Sequence, residues 1–440
     1  MDRYAARTFL LVSLLFSTAI HAEDAQPANL ITVTADPSSG LSFYNSDKTY
    51  GLKFSGVLQA DGRFYLNDVA KPQQDTFLPR RGRFQLDAQL GSKAKLRLQE
   101  DFVTGLMVDA YGELKPLSFV TLRLGLFKTP LSLERWRSDP SRDFVEMGYT
   151  TSLVTDRDTG AWLELADPDQ AILFGAGVFN GSADTIGTIT SDSNDPKDAV
   201  AKIFLHPFRF FGVTSLRDVG FGIAGSYGDH SGSVLSSVKS LGQAAVLSYT
   251  ATVSNLDGYG AGGRLAPQAY LFWNSLSFLG EYVDSWQGAY ASGNTGPNDM
   301  KDYIIHNAAW QVQAGWVITG ENASFNGLKL NKEASSAWGA LQVVGRYQAA
   351  NFDPEAFTTY ANNQGTLTWS KRFMDPRDSV SGIRSWSVGL NYVPVNNVKL
   401  LVDFDQSLYT DGTSSGVGAN TITANRETEN VILARAQFSY

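Results

Sequence analysis

Apolar and polar side chains alternate residue by residue along much of this chain. In KAKLRLQEDF (93–102), Lys93, Lys95, Arg97, Gln99 and Asp101 share one parity, while Ala94, Leu96 and Leu98 share the other. A strand turns successive side chains to opposite faces, so this stretch carries one apolar face and one charged face. LKFSGVLQADGRFY (52–65), PRRGRFQLDAQL (79–90), NAAWQVQAGW (307–316), SWSVGLNY (385–392) and NVKLLVDF (397–404) repeat the pattern. The period predicts strands at 52–65, 79–91, 93–103, 105–115, 117–128, 159–166, 170–179, 198–210, 218–228, 263–275, 277–288, 303–319, 334–350, 382–393, 397–409 and 428–440.

The gaps between these segments sort by length. After odd-numbered strands they are mostly long: 66–78, 129–158, 180–197, 229–262, 289–302, 351–381 and 410–427. After even-numbered strands they are mostly tight, as at 91–92, 115–116, 167–169 and 394–396; the stretch 320–333 is long for its class, and the gap after 103 is short. Tight turns at one end and long loops at the other are what an up-and-down barrel in an outer membrane requires. Closure also removes the unpaired edges that so wide a sheet would expose. The expected fold is therefore all-β, a 16-stranded antiparallel transmembrane β-barrel, with apolar faces meeting lipid and polar faces lining a lumen. Trp273, Trp310, Trp316, Trp338, Trp386, Tyr392, Tyr409, Phe438 and Tyr440 lie toward segment ends, mostly on the apolar parity, as interfacial girdles do. Each taken singly reads equally well as core packing.

The first 22 residues change the picture of where this barrel resides. Arg3 and Arg7, then FLLVSLLFSTAI, then Ala22 form the layout of a secretory signal peptide. The apolar run falls short of the roughly 20 residues a spanning helix needs. The expected organisation is a signal peptide (1–22), an N-terminal periplasmic segment (23–51), and a barrel (52–440) with an inward loop at 129–158. The chain has no Cys, so neither disulfides nor thiolate metal sites arise, and its net charge of −8 argues against a nucleic-acid partner. Beyond His21 of the leader, only His206, His230 and His306 are present, and neither G-x-S-x-G nor H-E-x-x-H occurs. No enzyme, cofactor or metal is expected. A secreted β-sheet binding protein without a channel is the other reading, and it leaves the segregated loop lengths unexplained.

Candidate function resides in the first five strands. Lys53, Arg63, Arg81, Arg83, Lys93, Lys95, Arg97 and Arg123 occupy the polar parity with Asp61, Asp87, Asp101, Asp109 and Glu113, and Lys128 ends the fifth strand. Consecutive strands are neighbours in an up-and-down barrel, so positive charge collects on one wall. Fixed cations in a lumen concentrate anions, and Arg can hold a phosphate or carboxylate bidentately. The alternative is a set of internal salt-bridge ladders without net preference, with Arg63 against Asp61 and Arg97 against Asp101. The connection 129–158 exceeds a turn. A barrel of about 16 strands holds an aqueous channel, and folding this loop inward would narrow it. Its Arg135, Arg137, Arg142 and Arg157 stand beside Glu134, Asp139, Asp143, Glu146, Asp156 and Asp158, a mixed rather than basic set, and a solvated outer loop is the alternative.

TADPSSGLSFYNSDKTYGLKFSGVLQADGRFY, RRGRF, LRLGLFKTPLSLER followed by DRDTG, RLAPQAYLFWNSLSFLGEYV and VGLNYVPVNNVKLLVDF together resemble the phosphate-selective porin O and P family. The resemblance implies a 16-stranded outer-membrane barrel, usually a homotrimer, with an inward third loop and basic residues guiding small anions such as phosphate. By motif position, Arg81 and Arg83 look like the family's early-strand arginines and Lys128 like the lysine ending its fifth strand. One departure stands out. Where phosphate-specific members carry a run of alternating arginines before the tenth strand, HSGSVLSSVKSLGQ (230–243) offers only Lys239, with Arg264 beyond it. The expectation is thus a Gram-negative outer-membrane diffusion channel for small hydrophilic solutes, anion-preferring, with phosphate or polyphosphate as candidate cargo; a general non-selective porin is the alternative.

Overall fold

The computed structural model describes residues 31–36, 40–67, 73–181, 197–230, 237–249, 256–291, 303–330, 338–357, 360–361, 367–368, 374, 379–412 and 425–440. The expected signal peptide lies outside the described residues. Two short strands, β1 (Thr32–Asp36) and β2 (Gly40–Tyr44), come first. Nine long strands follow: β3 (Tyr50–Asn67), β4 (Thr76–Leu90), β5 (Ala94–Asp101), β6 (Leu106–Leu117), β7 (Val120–Lys128), β8 (Arg157–Ala166), β9 (Ile172–Phe179), β10 (Asp198–Leu205) and β11 (Val219–Asp229). After a small hairpin of β12 (Val238–Lys239) and β13 (Ala245–Leu247) come β14 (Leu256–Trp273), β15 (Leu276–Ala291), β16 (Tyr303–Val317) and β17 (Ala340–Asn351). A second hairpin, β18 (Tyr360–Ala361) with β19 (Leu367–Thr368), precedes β20 (Gly382–Val395), β21 (Val398–Thr410) and β22 (Glu429–Ser439).

Leaving the two hairpins aside, each strand from β3 onward pairs antiparallel with the next, and β22 returns to β3 with Leu433 opposite Arg63. The result is a closed 16-stranded antiparallel barrel. Its strands match the sixteen periodic segments, and the differences lie at their ends. The segment expected to run 198–210 stops at Leu205 and turns into a short helix, Pro207–Phe210. Proline lacks the N–H a ladder needs and is preset for the first helical position.

Alternation governs which side each residue takes. Leu58 is 53% exposed on the outside while Gln59 beside it is 0% exposed within; Val402 and Asp403 repeat the contrast at 50% and 1%. A continuous apolar exterior of this kind calls for an apolar surround. Trp273, Trp316, Trp338, Trp386, Phe438 and Tyr440 are exposed on that exterior. Tyr409 is a correction: it is 5% exposed and inward, on the parity of Asp405 and Ser407, whereas its neighbour Leu408 is 47% exposed. An aromatic near a segment end does not by itself reveal its parity.

The connections 91–93, 118–119, 274–275 and 396–397 are tight and lie at one end of the barrel. At the same end, β2 pairs with the first residues of β3, Leu41 opposite Phe54. The last residue continues that edge, since Tyr440 and Gly56 exchange backbone hydrogen bonds at 3.0 and 3.1 Å. A Cβ at Gly56 would meet the Arg83 carbonyl and the Tyr440 ring, each at 2.9 Å. The connection 318–339 is the long exception, and its described part, through Leu330, turns into the barrel rather than closing tightly. The apolar core is likewise inside: Leu131, Tyr149, Leu153 and Val154 pack with Val283, Ile305 and Ile383 of the wall, and with Val246, Leu247, Phe352 and Val380 of the long loops. No described helix is long and apolar enough to cross a membrane, which says nothing of crossing by strands.

Candidate functional site

The connection Thr129–Asp156, between β7 and β8, crosses the lumen. Ser132 caps a single helical turn, Leu133–Trp136, by accepting from the Arg135 backbone N–H at 3.2 Å. Glu281 of β15 gathers the start of the loop, accepting from Ser132 Oγ at 3.0 Å, the Glu134 N–H at 2.7 Å and Thr150 Oγ1 at 3.0 Å. Gln311 of β16 donates to Glu134 at 2.7 Å, and Gln348 of β17 accepts from the Tyr149 N–H at 2.9 Å. Tyr149 Oη pairs with Ser385 Oγ at 2.6 Å, and the Val145 N–H donates to Asp403 at 2.6 Å. Five strands, β15, β16, β17, β20 and β21, therefore fix one side of the loop.

Its other side meets the arginines of β3 and β4. Asp139 accepts from Arg83 and Arg142, with Arg81 Nε at 3.8 Å. Burial pushes the Asp139 carboxyl upward, but Arg142, Arg81 and Arg83 outweigh it and hold the group well below the usual carboxylate range. Glu146 lies 3.3 Å from Arg63 and 3.4 Å from Arg80. Burial raises it too, and Arg80, Arg435 and Arg63 bring it below its ordinary value.

The remaining charges pair across strands. Arg435 holds Asp61 through two contacts of 2.7 Å, and Arg83 Nε meets Asp101 at 2.9 Å. Arg97 meets Asp87 at 2.6 Å, Arg123 meets Glu113 at 2.8 Å, and Arg157 meets Asp109 at 2.8 Å. The anticipated ladders of Arg63 with Asp61 and Arg97 with Asp101 do not form. Same-face residues along one strand are roughly 6.8 Å apart, whereas strands lie about 4.8 Å apart, so the facing neighbour wins.

Beneath the loop, at the tight-turn end, lies a cavity of about 480 Å³. Of the sequence candidates, Lys53, Arg83, Arg97, Asp109, Arg123 and Lys128 line it. Arg63 and Arg81 stand behind, in the contacts with the loop, while Lys93 and Lys95 are exposed and outside the lining, Lys93 donating to the Pro116 carbonyl at 3.1 Å. Lys399, Lys329, Arg157, Tyr111 and Trp136 complete the chemistry. Lys399 lies on the polar parity of its strand and was open to the same reasoning; Lys329 and Trp136 belong to connections without a period.

Arginines and lysines behave differently here. Arg83, Arg97, Arg123 and Arg157 each contact a carboxylate within 2.9 Å. Among the described residues, Lys53, Lys128, Lys329 and Lys399 form no ion pair; Lys128 donates to the Arg137 carbonyl at 2.8 Å and Lys399 to the Arg142 carbonyl at 2.5 Å. Arg264, beyond the stretch lacking arginines, is turned to structural use and donates to the Leu153 carbonyl at 3.0 Å. His206 contacts the Gln170 carbonyl and Tyr270 Oη, and His230 contacts Asp198. No cluster of metal-ligating side chains occurs among the described residues.

A closed barrel that is apolar outside and charged inside, crossed by a buried loop, defines the porin class of fold. Solved structures agree. The outer membrane channel DcaP of Acinetobacter baumannii is 12% identical, covers 91% of this chain and 100% of its own, and gives a TM-score of 0.54. The trimer form of in-vitro folded Vibrio cholerae OmpT is 11% identical over 88% of this chain and 99% of its own, with a TM-score of 0.51. Salmonella typhi OmpF, in a complex with daunomycin, is 10% identical over 89% and 98%, with a TM-score of 0.50. No curated protein matches the chain. Over residues 248–440 the chain matches the family model described as phosphate-selective porin O and P, the family its motifs resemble. Fold and family together support a channel of the outer membrane rather than an enzyme.

Proposed function

We propose that the chain is an anion-preferring diffusion channel, exported by the signal peptide at 1–22 and assembled as a homotrimer in outer-membrane lipid. Its tight-turn end, with the segment 23–51, faces the periplasm. The observation that carries this reading is the set of four lysines, Lys53, Lys128, Lys329 and Lys399, on one cavity without a paired carboxylate. An arginine beside its carboxylate is close to neutral at a distance; an ammonium with no carboxylate in contact, above all on half-buried Lys53 and exposed Lys329, draws anions into the passage. Lys128, ending the fifth strand, sits where that field meets the inward loop.

Small inorganic anions, phosphate among them, fit the donors present. The missing arginine run at 230–243 argues against dedicated phosphate capture and for general anion passage. The trimer draws support from the trimer form of OmpT, which shares the fold. The paired arginines alone would describe a non-selective porin, so the test turns on ion selectivity. In a planar bilayer under a potassium chloride gradient, the reversal potential is expected on the chloride side. A reversal potential at zero or on the potassium side overturns the anion preference.

A further inference from the structure

A barrel lumen filled with water is ordinarily polar, yet aromatic residues are among those lining this cavity: Tyr111 of β6, Phe127 of β7 and Trp136 of the inward loop, with Tyr440 as a fourth. The first three are layered with guanidinium groups. Arg123 places its Cζ 4.8 Å from the Tyr111 ring centre, 5.3 Å from Phe127 and 6.0 Å from Trp136, and Arg97 stands 5.8 Å from Tyr111. Both arginines are already matched to carboxylates, and the Lys202 ammonium also stands 5.5 Å from the Trp136 ring centre, so these rings sit in a cation-rich layer suited to a flat anionic guest.

Trp136 is half-buried, and neither its indole N–H nor the Tyr111 hydroxyl has a hydrogen-bond partner among the described residues. Lys53, Lys128 and Lys329 line the same cavity. A small hydrated inorganic anion makes use of the charges and donors but gains nothing from rings, and apolar ring surface left in water is unfavourable. A planar ring bearing a carboxylate uses both: its face stacks on the aromatic and guanidinium layer, and its anionic end reaches a lysine.

We infer that this cavity is a binding subsite for aromatic carboxylates, with the Trp136 indole as the platform for the ring. The assignment rests on the channel reading and names a solute class within it. Phe127, 2% exposed, forms the back of the subsite, and Lys128, the residue after it, stands on the neighbouring side of the same strand.

Benzoate, cyclohexanecarboxylate and acetate separate ring stacking from size and charge. Added to the wild-type channel in a planar bilayer, benzoate should half-block the chloride current at about a tenfold lower concentration than acetate. It should also block below cyclohexanecarboxylate, which has the same charge and a similar size but no planar face. W136L should bring benzoate to the cyclohexanecarboxylate level, while W136F keeps most of the difference; a heat-dependent shift in gel mobility confirms that both variants fold. Saturation-transfer NMR on the detergent-solubilised chain makes the same comparison without requiring current. Benzoate acting no better than cyclohexanecarboxylate, or a difference that W136L leaves intact, overturns the subsite. A benzoate preference that persists beside a reversal potential at zero supports the subsite and overturns the anion preference, so the two readings fail separately.

Discussion

The two sides of the inward loop rest on walls that differ in how much of the contact is apolar and how much is ion pairing. Toward β15–β21 the loop is mainly apolar: Tyr149, Leu153 and Val154 enter an apolar cluster, and this dry side is completed by hydrogen bonds to Gln348 and Ser385 and to the carboxylates of Glu281 and Asp403, with Arg346 3.6 Å from Glu134. Toward β3 and β4 it is ionic, with Asp139 and Glu146 each held by more than one arginine. The dry side positions the loop, since packing and directional hydrogen bonds tolerate little displacement. The ionic side matches the wall's arginines to carboxylates, whereas Lys53, Lys128, Lys329 and Lys399 below it have none in contact among the described residues. A basic wall read from sequence is therefore a poor guide to which cations an ion meets; pairing decides.

The sharpest way to break this comparison is to remove the two kinds of cation separately. K53Q/K128Q/K329Q/K399Q should carry the reversal potential in a salt gradient to zero or past it toward potassium. R81Q/R83Q/R97Q removes charges that are already matched, frees Asp87 and Asp101 and leaves Asp139 to Arg142, so its shift should come from the released carboxylates. Titrating that triple variant to acid should undo the shift, whereas the lysine variant should keep its own. Equal behaviour of the two variants across pH would dissolve the distinction.

Next in size is the ionic anchor. D139A leaves Arg81, Arg83 and Arg142 buried without their shared carboxylate, an arrangement that costs about 3–5 kcal/mol. The temperature at which the folded form is lost on gels should fall accordingly. The same anchor carries a pH signature. The folded pKa values of Asp139 and Glu146 are depressed, so their stabilisation is complete above the unfolded carboxylate values near pH 4 and drains away as the pH falls through the lower folded values. Thermal stability should thus be flat with respect to these groups from neutrality to about pH 5 and decline below it, and D139A should show a shallower decline.

Strand positions were legible because a half-oily, half-wet strand imposes a period of two whatever its neighbours are. That is why Leu58 and Gln59, or Val402 and Asp403, separate as their parity demands. Parity names a face but not a partner, so Arg97 and Asp87 could not be matched without the register that sets them opposite. Tyr409 was misplaced because its position near a segment end was weighed above its parity. Trp136 and Lys329 escaped because they reach the cavity from connections, where only the closed fold decides what is near. On strands, parity separates inward from outward residues but not those that line the cavity, such as Lys53 and Arg97, from those that do not, such as Lys95, and on connections it offers no guide at all.

The dry side offers smaller and graded tests. L153A removes a side chain that is 4% exposed within the luminal cluster and should cost about 2–5 kcal/mol, depending on how far the surrounding loops collapse into the space. Because no charge moves, the reversal potential should stay near the wild-type value while the unfolding temperature drops. Y149F is gentler still: it deletes the hydroxyl at 2.6 Å from Ser385 and leaves the ring in place, for about 1 kcal/mol. Ser385 also donates to Ser407 at 2.8 Å, so the wall keeps a partner and the loss should remain at that level. A Y149F protein that lost as much stability as D139A would place the loop's main anchor on the dry wall and reverse the order argued here; unfolding temperatures of the two variants, measured side by side, decide it.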